Sequence, residues 1–454
     1  MSKFIKLKKG FDINLAGKAE KKIVEVEQPE TFAYKPSSFY GISRPKLTVK
    51  EGDRVKAGTP ILFDKKNSRV LHVAPVSGEI TSIMRGEKRK LLEIVISADK
   101  AIEYEVFDKH TASDINGLSR ENIVEQMLNG GVWPNLVQRP YGVIADPDET
   151  PKSIFISAFD SHPLAPAYDF IFKGQDQYFQ AGLDVLKKLT TGAVHVNING
   201  DAEVSPMFAH AKGIELNKFS GPHPAGNVGV QIHHIDPINK GDVVWTLSPF
   251  GVIQIGKLFV EGKYDASKVI AVAGSEVKNP QYYKTYTGAS IKNFVSGNLK
   301  SDHVRFVAGN ALTGRKIAAD GHLGYYDNLL TILPEGDQYE LFGWIKPSTQ
   351  KLSFQRAFGL LSFLFPNKEY ALDTNLKGEP RAFVQTGVFE KVTPMDILPT
   401  YLLKAILAED FDDMEALGIY EVIEEDLALC EFIDVSKHDI QDIVREGLNL
   451  LRDS

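Results

Sequence analysis

The chain has 454 residues, enough for about three domains at roughly 150 residues each, with 43% hydrophobic and 24% charged residues as in ordinary globular proteins. A single cysteine, Cys430, excludes an in-chain disulfide, a Cys-ligated iron–sulfur cluster and a Cys-based zinc site, each of which needs several thiolates. A sequence pI near 5.9, with basic residues not interleaved with aromatics, argues against nucleic acid as a partner.

Charge is uneven. The first hundred residues hold 21 Lys/Arg against 12 Asp/Glu, and the last sixty hold 4 against 16. Two differently solvated surfaces explain this, as does a basic end set near anionic lipid or an acidic partner. The start, MSKFIKLKKGFDINLAG, lacks the apolar core of a secretory signal, and no apolar run reaches the 18–20 residues of a spanning helix. The expectation is a cytoplasmic protein.

Residues 47–80 alternate apolar and polar positions, with turn chemistry at Gly52-Asp53, Gly58-Thr59-Pro60 and Ser77-Gly78. The two half-motifs resemble a biotinyl/lipoyl-type barrel. Lys65 and Lys66 fall where true lipoyl domains carry a modified lysine. A swinging-arm carrier and an unmodified barrel with solvated lysines are both open, and intact-mass analysis separates them.

Residues 101–150 contain an amphipathic piece, Arg120–Leu128, stopped at Gly130-Gly131. From 151 to 260 the pattern reads as α/β. Strands are expected at Ile154–Ser157 and Val194–Ile198, a helix at Asp176–Leu189, and one long buried helix at Val243–Val260. No G-x-G-x-x-G follows any of these strands, so a dinucleotide fingerprint is lacking. His233-His234 reads as lying on a strand, which sends the two rings to opposite faces. Residues 261–311 read as a small β-grasp-type unit with strands at Val269–Ala273 and Val304–Ala308 and a turn and short helix at Thr287–Val295. The last part is mixed, then helical. Leu352–Phe365 places Phe354, Phe358, Leu361 and Phe365 on one helical stripe, which serves as core or as a docking face. Paired catalytic carboxylates, a nucleophile elbow and a P-loop are all missing.

These readings assemble into an α+β multidomain fold. Residues 1–100 form a biotinyl/lipoyl-like barrel-sandwich, 101–260 a Rossmann-like α/β domain, 261–311 an SLBB-like β-grasp unit and 312–454 a mixed, then helical, C-terminal domain.

The order of short motifs carries more. Lys8-Lys9-Gly10-Phe11-Asp12 with Ala16-Gly17 precedes Asp64-Lys65-Lys66-Asn67, then Arg139-Pro140 with Ala145-Asp146-Pro147 and Ala158-Phe159-Asp160 with Pro163–Pro166. Gly221–Gly226 leads into Ile232–Pro237, and Pro394–Pro399 and Glu424–Cys430 close the set. Across essentially the whole chain this resembles the NqrA family of the sodium-translocating NADH:quinone oxidoreductase, related to the C subunit of the Rnf complex and to the NADH-binding flavin subunit of complex I. Those relatives hold flavin with a glycine-rich loop. At the corresponding place this chain keeps Gly130-Gly131, but Trp133 and Pro134 are expected to fill the flavin space.

The resemblance implies a peripheral subunit on the cytoplasmic face of the membrane, contributing to quinone reduction coupled to sodium export. It implies no cofactor bound by this chain, flavins and iron in partner subunits, and quinone as substrate. Trp133, Arg139, Tyr141, Phe155 and Phe159 are the candidate quinone-site residues, as aromatic walls beside a cation, and His223 and His233 the candidate polar contacts. The same residues also read as ordinary core and hydrogen-bonded turn histidines. The rival functions are a carrier-type protein and a purely structural assembly subunit.

Overall fold

In the computed structural model the described residues are 3–39, 41–343, 345–355, 364–365, 367–383 and 387–453. The barrel motif folds as two small sheets. One pairs Pro45–Leu47, Pro60–Asp64 and Asn67–Val73, and the other orders Thr31–Tyr34, Leu91–Ala98, Gly78–Arg85 and Arg54–Val55. Period-two alternation turns Phe32, Ile80, Ile94 and Ile96 inward against Ile61 and Leu62, all essentially without exposure. Lys65 and Lys66 stand exposed between Pro60–Asp64 and Asn67–Val73. The Asp64 carboxylate pins this turn by accepting the N–H groups of Ser43 (2.9 Å), Arg44 (3.2 Å) and Lys66 (3.1 Å).

The α/β domain is a seven-stranded sheet in the order Phe4–Lys6, Glu215–Ser220, Val194–Asn199, Ser153–Ser157, Val244–Leu247, Val137–Arg139, Val143–Ile144. The first five run parallel, Val137–Arg139 joins them antiparallel, and Val143–Ile144 pairs antiparallel with that strand in turn. Parallel strands covered on both faces need continuous apolar runs, and Ile154, Phe155 and Ile156 all have zero exposure. Helices Asp176–Leu186 and Pro249–Glu261 lie in contact beside the sheet. Glycine permits that approach: a Cβ on Gly182 would sit 2.0 Å from the Val252 carbonyl oxygen, and one on Gly256 1.9 Å from that of Tyr178.

Two local expectations are corrected here. Val243–Val260 is not one helix. Val244–Leu247 is a strand, and Ser248 caps a separate helix by accepting the Gly251 N–H at 3.4 Å, with Pro249 in the first helical turn. The β-branched and aromatic Val-Trp-Thr and the Ser-Pro cap carried that boundary, hidden in the apolar run. His233 and His234 lie in the last turn of helix Val228–Ile235, not on a strand.

The SLBB-like unit is built on a six-stranded sheet ordered Arg315–Ile317, Val304–Ala308, Leu329–Pro334, Ser267–Ala273, Gln281–Tyr286, Ile23–Val24, with the short helix Lys292–Val295. The N-terminal segment thus laces three units. Phe4–Lys6 edges the α/β sheet, Ile23–Val24 edges this one, and Thr31–Tyr34 enters the barrel. Helices Pro399–Leu407, Phe411–Ala416, Glu424–Ile433 and Ile440–Asp453 end the chain. Much of the Leu352–Phe365 stripe, residues 356–363, lies outside the described residues. Of its described members, Phe354 packs edge-on against Phe11 at 5.4 Å, while Leu364 and Phe365 are exposed. No described helix is long and apolar enough to cross a membrane.

Candidate functional site

Strand Ser153–Ser157 leads through helix Asp176–Leu186 to its neighbour on one side. The chain later returns through helix Val228–Ile235 to Val244–Leu247 on the other side. In open α/β sheets such a reversal of strand order leaves a crevice beyond the carboxyl ends of the two strands, where ligands bind. Here it is a cleft of about 840 Å3, bordered by the SLBB-like unit and by the start of helix Glu424–Ile433. Its apolar wall includes Phe159, Tyr168, Phe172, Phe250 and Tyr326. Lys268, from the SLBB-like unit, lies over the Phe250 ring at 4.8 Å and donates to the carbonyls of Tyr325 (2.9 Å) and Asp327 (2.8 Å). Burial draws its ammonium down to about 8.

The loop after Ser153–Ser157 carries Phe159-Asp160-Ser161-His162. His162 Nδ1 meets Asp160 Oδ1 at 2.6 Å, with side chains 10% and 17% exposed. Burial opposes charge on both, but the mutual attraction wins, so the imidazole is raised and the carboxyl lowered from their ordinary values. The His223 ring lies 4.6 Å from that of His162. Ser161 Oγ accepts the Gly226 N–H at 2.9 Å and lies in hydrogen-bond contact with His223 Nδ1 at 3.0 Å. Burial, reinforced by the neighbouring His162, takes His223 down to about 3, which keeps it neutral. The Nε2 atoms of both histidines are buried with no hydrogen-bond partner among the described residues.

Arg139 closes the opposite side. Its Nη1 donates to Asp426 and its Nη2 to Glu425, each at 2.7 Å, with Arg139 1% and Asp426 0% exposed. Burial pushes the Glu425 carboxyl up despite the guanidinium. Gly229 leaves room for the pair, because a Cβ there would sit 2.4 Å from the Asp426 oxygens and 2.6 Å from Arg139 Nη1.

Of the sequence-derived candidates, Arg139 and Phe159 line the cleft and His223 lies against His162. Trp133 has zero exposure, meets Trp245 edge-on at 5.5 Å and donates its indole N–H to the Ala145 carbonyl at 2.8 Å. It does not line the cleft. Phe155 is core, stacked on His195 at 4.5 Å. Tyr141 meets Tyr420 edge-on at 6.4 Å, and its carbonyl accepts from Arg445. His233 spends both ring nitrogens elsewhere, on Glu421 Oε2 (2.6 Å) and the Asp396 N–H (3.0 Å). Sequence reasoning missed Asp160, His162 and Lys268 as site residues. A signal existed for the first two: a polar Asp-Ser-His loop directly after a buried parallel strand.

Buried neutral histidines set an acid limit. His72, whose Nδ1 meets the Tyr34 hydroxyl at 2.6 Å, is also held down to about 3 by burial. Below pH 6.5 the unfolded chain takes up protons that folded His72 and His223 refuse, so stability falls as pH falls, by roughly 1.4 kcal/mol per unit for each. His162, being raised, works oppositely: its contribution is complete below pH 6.5 and is lost as pH rises through its folded value. Urea titrations at pH 7 and pH 5 should show a loss smaller by about 2 kcal/mol in His72→Gln than in wild type, since glutamine keeps a partner for Tyr34 but does not titrate. An equal loss in both proteins would clear His72 of any part in the acid limit.

Comparison with known proteins bears on the whole chain. Residues 5–99 match the model of the NqrA N-terminal barrel-sandwich hybrid domain, 118–264 the NqrA second alpha/beta domain and 269–319 the NQRA C-terminal domain. The NqrA subunit of the Na(+)-translocating NADH-quinone reductase from Alcanivorax borkumensis is 37% identical over 98% of this chain and 99% of its own length. The subunits of the same name from Yersinia pestis bv. Antiqua (38%, 98% of each chain) and Neisseria meningitidis serogroup B (37%, 98% and 99%) are similarly alike. Among solved structures, an NAD+-reducing NiFe-hydrogenase in the air-oxidized state aligns over 78% of this chain and 67% of that one, at 10% identity and a TM-score of 0.37.

Proposed function

Since the chain belongs to the NqrA family of the Na(+)-translocating NADH-quinone reductase and is a subunit of that enzyme, we propose that it is a peripheral, cytoplasmic-side subunit whose cleft seats quinone during quinone reduction coupled to sodium export. In this reading the flavins and iron that carry electrons from NADH belong to partner subunits, this chain binds no cofactor of its own, and its membrane association runs through those partners.

The cleft carries the proposal. A flat, apolar quinone head needs aromatic walls and one or two donors for its carbonyl oxygens. The crevice supplies Phe159, Tyr168 and Phe250 as walls and the His162 ring in its lining, whose buried Nε2 has no hydrogen-bond partner among the described residues. Arg139 is a poorer donor to the ring than its charge suggests, because both of its terminal nitrogens already bind carboxylates.

A short-chain, water-soluble quinone titrated into the isolated chain by calorimetry tests the reading. Saturable binding is expected, and Phe159→Ala should weaken it about tenfold, or about 1.4 kcal/mol, by removing one aromatic wall. Wild-type protein that takes up no quinone would favour the purely structural role instead.

A further inference from the structure

A second pocket, of about 730 Å3, backs onto the cleft. The two share only the strand-end loop and the start of the next helix: Phe159, Asp160, His162 and Tyr168, with Ile171 and Phe172 continuing into the cleft alone and Ser161 into the second pocket alone. The characters of the two spaces differ. Aromatic rings line much of the cleft, with exposed Gln28, Lys284 and Tyr326 at its mouth, whereas the second pocket is more polar and communicates with solvent past exposed Asp12, Lys18, Glu203 and Glu369. Resting on the reading that the cleft seats quinone, we propose that the Asp160–His162 pair is a proton relay from this solvent-fed pocket to the bound quinone, with His162 as the immediate donor and Asp160 as its positioning residue.

The chemistry uses such a device. Quinone plus two electrons and two protons gives quinol. The electrons arrive from NADH through the partner subunits, and each proton has to reach a quinone oxygen seated against the aromatic walls. His162 fixes Nδ1 on Asp160 and keeps Nε2 buried without a partner among the described residues. An imidazolium in this state transfers the Nε2 proton to the reduced oxygen, forming its O–H bond, and is left neutral. The neutral ring, its Nδ1–H still on Asp160, then takes a proton back at the same Nε2 from water that enters by the second pocket, whose lining His162 shares, and is set for the second transfer. The Asp160 carboxylate favours the charged ring, and the direction of both shifts agrees. The other groups facing His162 are His223 from the 221–227 loop, Glu425 and Asp426 from helix Glu424–Ile433, Arg139 paired to both carboxylates, and the Tyr168 phenol. His223, held neutral by burial, carries no transferable proton in the working range.

The test uses the assembled reductase. His162→Gln should lower kcat for quinone by about a hundredfold, the ordinary worth of a general acid, while KM for quinone changes less than about threefold. Asp160→Asn should move the alkaline limb of the kcat profile to lower pH, because the imidazolium loses the carboxylate that favours it. Added imidazole should restore activity to His162→Ala. Quinone titration of the wild-type chain separates the failures. No binding there overturns the cleft reading and the relay together. Binding with kcat and pH profile unchanged in the variants overturns the relay alone. Activity lost without imidazole rescue and without a displaced limb also overturns it, since a merely structural role gives that pattern.

Discussion

Replacing Arg139 with alanine is expected to destabilise the protein by about 3–5 kcal/mol, among the largest effects of any single substitution in the chain. The reason is asymmetry. Asp426 is entirely buried and Glu425 two-thirds so, and one guanidinium 1% exposed serves both. Removing it leaves a carboxylate buried without its counter-charge. Arg139→Lys should recover only part of the loss, because a single ammonium does not span two carboxylates as the planar fork does. Gly229→Ala attacks the same pair from the helix Val228–Ile235, where the added methyl has no room, and should reproduce the defect. Urea titration of the three variants gives the measurement. An alanine variant within about 1 kcal/mol of wild type would show that the pair is not what joins helix Glu424–Ile433 to the α/β sheet.

The second large effect is at Trp133. Its truncation to alanine should cost about 3–5 kcal/mol, through lost burial and an unfilled cavity, with the Ala145 carbonyl left without the indole donor. Quinone reductase kcat and inhibitor sensitivity in the assembled complex should stay at wild-type values, because Trp133 packs on Trp245 and does not line the cleft. Phe159→Ala should behave in the opposite way: one variant loses stability and keeps quinone affinity, the other the reverse. A Trp133→Ala protein that melts normally but loses activity would move the site to the Gly130–Tyr141 segment itself.

Where residues alternate or cluster locally, the sequence was a sound guide. The barrel halves, the strands at Ile154 and Val194, the helix starting at Asp176 and the Thr287–Val295 turn and helix all follow from periodicity and turn residues adjacent in the chain. Val243–Val260 failed because a doubly buried strand and a buried helix are both apolar throughout, so only the Ser248-Pro249 cap marks where one becomes the other. The site was harder for a different reason. Aromatic character points equally to core and to pocket, and Trp133, Phe155 and Phe159 are indistinguishable until the strand order decides which lies beyond a strand end. Arg139 meets Glu425 and Asp426 across nearly three hundred residues, a pairing no local pattern announces. His162 and His223 come together the same way, through two loops that meet at the sheet's carboxyl edge.

Whether quinone sits in this cleft is decided by a photoreactive quinone analogue, irradiated in the fully assembled reductase and mapped by peptide mass. Adducts are expected on this chain within the loop that follows Ser153–Ser157, from Phe159 to Phe172, or on the facing SLBB-like strand end at Thr285-Tyr286, and they should disappear when excess unlabelled quinone is present. Competable labelling confined to the partner subunits, with none in this cleft, would contradict the assignment.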